Sequence, residues 1–102
     1  MISYCLNAST IRPTPLMDKI RIASQAGYAA IELWCNELTD YEQAGGSITD
    51  VKKALDDNGL AVPTMIAIFG WLGTTGVEHD AALEDARQRM EQAAQIGASY
   101  II

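Results

Sequence analysis

Basic residues are scarce in this chain, which has 7 lysines and arginines against 13 aspartates and glutamates. The resulting net charge of −6 argues against binding to a nucleic-acid backbone, which requires clustered basic side chains. It also argues against attachment to an anionic membrane surface. We therefore expect no nucleic-acid partner and no membrane partner, whereas neutral sugars and substrates held through a metal remain compatible with this charge.

Long hydrophobic runs are also absent. No stretch approaches the ~20 apolar residues of a membrane span, and residues 1–7 lack the basic region and long apolar core of a signal peptide. Cysteine occurs only at Cys5 and Cys35, too few for a disulfide framework or a zinc motif. These features predict a soluble cytoplasmic protein with two buried free thiols.

Histidine occurs once, at His79. Because no second histidine supports a metal site, we expect His79 to be a residue at the start of a helix. An acidic segment containing Glu37, Asp40 and Glu42 follows a predicted strand. It could bind a cation weakly, but a solvated loop is the favoured interpretation.

The chain does contain a repeating order of strand and helix patterns. Strands are predicted at residues 2–8, 30–35 and 61–69, and a fourth begins at Ser99. The last three each follow a helical pattern that ends at a glycine, namely Gly27, Gly59 or Gly97. Crossovers of this size between consecutive strands predict parallel pairing with right-handed connections. Eight such units would form a chain of ~250 residues, the usual size of a (βα)8 barrel.

Three helices are predicted between the strands. The first begins with Thr14 as its cap and Pro15 at the first helical position. The second begins at Ser47, and the third covers residues 80–96. Residues 36–46 are predicted to form a long polar loop, and Lys19 is placed away from the buried side of the first helix. The predicted buried stripes are Leu16, Ile20, Ala23 and Ala26 or Gly27; Ile48, Val51 and Leu55; and Leu83, Ala86, Met90, Ala93 and Ala94.

These patterns predict an α/β fold, a partial (βα)8 TIM barrel with strands 1–4 parallel and in sequential order. We expect residues 1–102 to form a single domain, the N-terminal half of the barrel. The first predicted strand has an apolar face of Ile2, Tyr4 and Leu6, and the third is apolar enough to be covered on both faces. A flavodoxin-like open sheet is the alternative, and it would give the first strand a neighbour on each side.

The segment Gly27-Tyr28-x-x-Ile31-Glu32-Leu33-Trp34 resembles the glycine-aromatic-x-x-apolar-Glu-apolar-aromatic segment of the xylose isomerase-like TIM barrels. That family includes sugar phosphate isomerases and epimerases, inosose dehydratases, dehydroshikimate dehydratases and endonuclease IV. The resemblance implies a divalent metal (Mn, Zn, Mg or Co) in the full-length parent, held by Glu, Asp, His and Glu side chains of later strands. No metal is therefore expected in this chain alone. Where the family often has a histidine at the end of strand three, this chain has Ile68-Phe69-Gly70.

Four residues are predicted to bind substrate. Glu32 and Trp34 share one face of the second strand, which should lie inside the barrel near its C-terminal mouth. Glu32 could accept hydrogen bonds from substrate hydroxyls, or it could be a structural carboxylate. Trp34 and Trp71 could wall a sugar pocket or fill the core. Asn7 could contact the ligand or form a turn, and Arg12 could hold a phosphate or carboxylate, although solvation is commoner for a lone arginine.

The function expected from the resemblance is the N-terminal half of a metal-dependent sugar (phosphate) isomerase or epimerase. Such an enzyme moves a proton next to a carbonyl. We expect the metal ligands beyond residue 102, and this chain alone to be inactive. A dehydratase or lyase of the same family is one alternative. Another is a non-catalytic half-barrel that forms a homo-oligomer through open sheet edges. The acidic balance disfavours an endonuclease.

Overall fold

The computed structural model describes residues 2–102 and contains one parallel sheet. Its strands follow the order β1-β2-β3-β4, and each pairs in parallel with the next. Because β1 has β2 as its one neighbour among the described residues, the flavodoxin-like alternative is wrong and the sequential order is confirmed. The strands are β1 (Cys5–Asn7), β2 (Ala30–Trp34), β3 (Thr64–Ile66) and β4 (Tyr100–Ile101).

Four α-helices pack on one side of this sheet, and a short 3₁₀ helix follows β1. The prediction of three helices is therefore wrong by one. The additional helix lies directly after β2, in the segment predicted to be a polar loop. The helices are the 3₁₀ helix (Ala8–Ile11), α1 (Leu16–Gln25), α2 (Cys35–Gln43), α3 (Ile48–Asp57) and α4 (Gly76–Ile96).

Helix α2 is stabilised by a cap and by contacts with other elements, which its polar sequence does not indicate. Its first turn is capped by Glu37, whose Oε2 accepts a hydrogen bond from the Trp34 backbone N–H at 3.1 Å. Only two of its residues, Cys35 and Leu38, are buried. The Gln92 side chain of α4 also donates to its Thr39 hydroxyl at 2.8 Å. Two buried residues are too few to produce a helical hydrophobic period in the sequence.

The other helix boundaries agree with the predictions in part. Ser47 caps α3, and its hydroxyl accepts from the Asp50 backbone N–H at 3.2 Å. Thr14 does not cap α1, because the helix begins one residue later, with Pro15 at the cap position and no side-chain hydrogen bond there. Helix α4 begins at Gly76, one turn earlier than predicted.

The hydrophobic core lies between the sheet and the helices. From β2, Ile31 and Leu33 point towards the helices and are fully buried, as the alternation of the strand predicts. Met65 of β3 is also fully buried in this layer. Six residues of the predicted stripes of α1 and α3 are confirmed as buried: Leu16, Ile20, Ala23, Ile48, Val51 and Leu55. The prediction is wrong for Ala26 or Gly27, which are both exposed because α1 ends at Gln25.

Strand β1 is shorter than predicted, and only part of its expected apolar face is buried. Leu6 is buried, but Ile2 and Tyr4 are 79% and 68% exposed. The strand register with β2 begins at Cys5, and Tyr4 contributes only its carbonyl oxygen, which accepts from the backbone N–H groups of Ala29 and Ala30. The side chains before Cys5 therefore lie at the border of the packed part of the sheet. The prediction that Ile2 and Tyr4 belong to the buried face is wrong for this reason.

The sheet face opposite the helices, called the inner face here, is open within the described residues. It consists of alternate strand residues and includes Thr64 and Ile66, which are partly exposed while Met65 between them is buried. The prediction that the third strand is covered on both faces is therefore wrong for these residues. That strand is also shorter than predicted, because its regular pairing is limited to Thr64–Ile66.

Helix α4 is rotated relative to its predicted orientation. It packs on α3, and two of its three buried side chains are alanines, which permit close approach to neighbouring elements. The larger apolar side chains consequently turn outward, and Leu83 and Met90 are 49% and 51% exposed. The buried side consists of Ala86, Ala93 and Ile96, whereas Ala94, predicted to be buried, is exposed.

Candidate functional site

Side chains from three neighbouring strands meet on the inner face. Asn7 lies opposite Glu32 in the register of β1 and β2. Its Nδ2 donates to Glu32 Oε1 at 2.8 Å, and the Thr64 hydroxyl of β3 donates to Glu32 Oε2. Each carboxylate oxygen thus has one donor and retains lone-pair capacity for a ligand hydroxyl. The cluster holds the carboxylate in one orientation near the C-terminal ends of the strands.

Asn7 also shapes the chain that follows β1. Its Oδ1 accepts a hydrogen bond from the Ser9 backbone N–H at 2.8 Å and caps the 3₁₀ helix. The turn-forming role considered for Asn7 is therefore present. Since one amide atom is bonded to Ser9 and the other to Glu32, the two ends of the side chain couple the turn to the carboxylate.

Trp34 extends the site beyond Glu32. The indole Nε1 donates to the Ser9 hydroxyl at 2.6 Å. The Phe69 ring stacks on it, with 6.4 Å between centroids and 17° between planes. The Arg12 guanidinium carbon lies 5.4 Å from the centroid of the indole, within the range of a cation–π contact. The indole is thus held by polar, aromatic and cationic contacts while remaining partly exposed.

A cavity of about 370 Å³ opens beside Trp34. It lies between the turn that follows β1 and the first half of α2, so it is at the C-terminal end of the sheet. This volume is typical of a pocket for a small ligand. The lining residues are Ala8, Ser9, Arg12, Lys19, Trp34, Asn36, Glu37 and Asp40.

One wall of this cavity contains a buried ion pair. Lys19 is 3% exposed, and its Nζ pairs with Glu37 Oε1. The predictions that placed Lys19 away from the buried side and Glu37 in a solvated loop are both wrong. Lys19 lies on α1 and Glu37 lies on α2, and their spacing in the sequence does not indicate that the two side chains are in contact. The four-residue pattern Leu16, Lys19, Ile20 and Ala23 was nevertheless a signal that Lys19 lies on the buried stripe.

Trp71 does not contact the cluster formed by Asn7, Glu32 and Thr64. It lies in the loop after β3 and is 46% exposed. Its carbonyl oxygen accepts from the Thr74 hydroxyl at 2.9 Å and lies 3.2 Å from His79 Nδ1. Within residues 2–102, no aromatic contact or side-chain hydrogen bond joins its ring to Trp34 or Glu32. His79, in the first turn of α4, contacts this loop.

The two cysteines differ in exposure. Cys35 is fully buried, but Cys5 is exposed on the inner face, so the prediction of two buried thiols is wrong for Cys5. Partial desolvation and the nearby Glu32 charge raise the pKa of the Cys5 thiol. Burial raises the pKa of the Cys35 thiol, although the adjacent Arg89 guanidinium acts in the opposite direction. Both thiols are therefore poor nucleophiles at neutral pH.

Two further features concern possible ligands and membranes. Among residues 2–102, no three histidine, cysteine, aspartate or glutamate side chains are grouped so as to hold a metal ion. In the same part of the chain, none of the helices combines the length and hydrophobicity of a transmembrane segment.

Comparison with known proteins identifies a family and several solved structures that are similar to this chain. The model of one family, described as the xylose isomerase-like TIM barrel, matches residues 20–102. Among proteins with curated functions, none matches the chain significantly in sequence. The solved structures that match it do so at low sequence identity, so they establish the fold alone.

Three of these solved structures are informative. The IolI protein with a bound zinc atom has a TM-score of 0.86 at 16% identity, over 98% of this chain and 36% of that protein. The probable 3-DHS dehydratase AsbF of Bacillus anthracis has a TM-score of 0.78 at 19% identity, over 98% and 37%. D-psicose 3-epimerase has a TM-score of 0.70 at 16% identity, over 95% and 35%. The chain thus spans about a third of the length of each.

Proposed function

Because this chain belongs to the xylose isomerase-like TIM barrel family, we propose that it forms the N-terminal half of a metal-dependent sugar or sugar phosphate isomerase or epimerase. The observation that supports this proposal best is the carboxylate of Glu32, held by Asn7 and Thr64 on the inner face. Active sites of (βα)8 barrels lie at this end of the strands. A cytoplasmic location is part of the same proposal.

The proposed role of each residue follows from its contacts. A sugar hydroxyl would donate to a free lone pair of the Glu32 carboxylate, whose orientation Asn7 and Thr64 fix. The exposed part of the Trp34 ring would pack against the apolar face of the sugar. Trp71 would contact the sugar only if its loop moved towards the inner face. These residues bind and orient substrate, and none of them is proposed to transfer the proton.

The metal belongs to the proposal for the complete barrel. The described residues do not fit a metal site, since they contain no suitable group of ligands. We expect the ligands of Mn, Zn, Mg or Co to come from later strands, and no role of the residues above depends on them. The zinc atom bound to IolI supports metal use by a protein of similar fold.

The test is proton exchange next to the substrate carbonyl. The protein that contains this chain is incubated in D₂O with D-fructose or D-psicose and each metal in turn, and deuterium incorporation and epimer formation are measured. Glu32→Gln should lower kcat/KM at least ~10-fold, because it replaces a charged acceptor by a neutral amide. Glu42→Gln, on the exposed side of α2, is the control and should leave the rate unchanged. Absence of exchange with every ketose, or full activity of Glu32→Gln, would overturn the proposal.

A dehydratase of the same fold is the second candidate. It is kept as a candidate because a probable 3-DHS dehydratase is among the solved structures of similar fold. The same incubations distinguish the two, because the product of a dehydratase has lost one water molecule, whereas the product of an epimerase keeps every atom of the substrate except the hydrogen exchanged for deuterium. Mass spectrometry of the products therefore assigns the reaction class.

A further inference from the structure

Arg12 differs from every other basic side chain of this protein. Six of the 7 lysines and arginines form ion pairs with aspartates or glutamates. Arg12 forms no such pair with any residue in 2–102, although the chain has 13 acids. The paired residues are Lys19, Arg21, Lys52, Lys53, Arg87 and Arg89. Within residues 2–102, the basic side chain that forms no ion pair thus lies beside the candidate site.

The position of Arg12 is set by the structure around it. It directly follows the 3₁₀ helix that Asn7 caps, and its guanidinium lies over the Trp34 ring at 5.4 Å from the centroid. A guanidinium held over an aromatic face keeps its N–H groups at the edge, available to an oxyanion. Those groups border the cavity of about 370 Å³, together with the polar side chains of Ser9 and Asn36.

The other charges of the cavity indicate which ligand group fits. Lys19 and Glu37 neutralise each other across the wall. Asp40 also lines the cavity and forms no ion pair with Arg12, and its charge would oppose a bound anion. Arg12 is therefore the group in this cavity that can attract an anion, and its planar fork matches both phosphate and carboxylate oxygens.

We propose that Arg12 binds the anionic substituent, a phosphate or a carboxylate, of a sugar whose hydroxyls contact Glu32. This inference rests on the proposed function and narrows its substrate class from sugars in general to anionic sugars. Trp34 lies between Glu32 and Arg12. It is the next residue after Glu32 on the inner face, and Arg12 lies over its ring.

The test compares binding of charged and neutral sugars at low ionic strength by isothermal titration calorimetry. The ligands are D-fructose, a fructose monophosphate, D-glucuronate and inorganic phosphate. We expect an anionic sugar to bind at least ~10-fold more tightly than fructose, and Arg12→Gln to abolish that difference by weakening binding of the anionic sugar more than binding of fructose. Arg12→Lys should restore part of it, because lysine keeps the charge but lacks the fork. The preferred anionic sugar shows whether the substituent is a phosphate or a carboxylate.

Two control variants exclude trivial explanations. Arg21→Gln makes the same charge change on the exposed surface of α1 and should not alter the preference. Asp40→Asn should strengthen binding of the anionic sugar, because it removes an opposing charge. If Asp40 were instead the true partner of Arg12, Asp40→Asn and Arg12→Gln would lower the thermal stability equally, which would contradict the inference.

The outcomes separate this inference from the proposed function. Equal affinity for charged and neutral sugars would overturn the role of Arg12 and leave the proposed function standing. Arg12-dependent binding of inorganic phosphate with no affinity for any sugar would support the anion site and overturn the sugar substrate. Equal losses in Arg12→Gln and Arg21→Gln would show general charge attraction and would contradict the inference.

Discussion

At the scale of single residues, Glu32 is the side chain whose surroundings carry the most chemical information. Its two donors are neutral groups, the Asn7 amide and the Thr64 hydroxyl, rather than a lysine or arginine. Neutral donors orient a carboxylate without cancelling its charge, so it remains able to accept from a ligand. A structural carboxylate in a sheet would more commonly pair with a base. This contrast favours a binding role for Glu32.

Cys35 provides a prediction at the same scale. Burial raises the pKa of its thiol in the folded protein, whereas in the unfolded chain the thiol ionises near about pH 8.5. Folding therefore favours the protonated thiol, and this stabilisation is complete below about pH 8.5 and is lost as the pH rises further. We expect the difference in unfolding free energy between wild type and Cys35→Ala to shrink between pH 7 and pH 10 in urea titrations.

The comparison with Cys35→Ala also controls for the other thiol. Cys5 titrates in both proteins, so its contribution cancels from the difference. The variant should lose about 1 kcal/mol at neutral pH, where the lost packing dominates. A difference that stays constant up to pH 10 would show that the folded and unfolded pKa values of Cys35 are equal.

At the scale of elements, the pair of Lys19 and Glu37 joins α1 to the first turn of α2. Glu37 also accepts from the Trp34 backbone N–H, so it connects the end of β2 with both helices. This contact anchors a helix that has only two buried residues of its own. The ion pair therefore positions the wall of the cavity, and its loss should affect α2 more than the other helices.

Removal of one partner tests this role. Lys19→Met should lower the unfolding free energy by about 3 kcal/mol, because it leaves the Glu37 carboxylate partly buried without its cation. The double variant Lys19→Met/Glu37→Gln should be more stable than Lys19→Met, since no unpaired charge remains. Urea unfolding of wild type, Lys19→Met, Glu37→Gln and the double variant gives the coupling energy. Additive losses would mean that the two charges do not interact.

At the scale of the whole molecule, both borders of the sheet carry exposed apolar side chains. Ile2 and Tyr4 lie next to β1, whereas Tyr100 and Ile102 lie at β4, and all four are more than half exposed. A closed barrel has no free strand edges. The surfaces left open in these residues are thus the ones that the remainder of a barrel covers, which agrees with the fraction of the solved structures that the chain spans.

We therefore expect the chain, when produced as these 102 residues, to self-associate through the inner face and the edges of the sheet. Sedimentation velocity should detect dimers or larger species at micromolar concentrations. Ile66→Lys places a charge on the inner face and should weaken association, whereas Val77→Lys, on the exposed start of α4, is the control and should not. A wild-type chain that sediments as a monomer throughout would contradict this prediction.

The predictable part of the fold depended on local rules. The alternation in β2 placed Ile31 and Leu33 in the core and Glu32 and Trp34 on the opposite face, because successive strand residues point to opposite sides. Gly27, Gly59 and Gly97 marked the helix ends, because each adopts the left-handed conformation there. The size of the crossovers between these points indicated parallel pairing. Neither conclusion needed knowledge of distant contacts.

The sequence by itself determined the succession of four strands along the chain, and which residues of β2 face the core, because these properties arise from neighbours within a few positions along the chain. Only the tertiary structure decided that Lys19 pairs with Glu37, that Thr64 donates to Glu32, and that Arg12 lies over Trp34 without a carboxylate partner. These contacts join residues on separate elements. Their geometry depends on how those elements pack, which local periodicity does not specify.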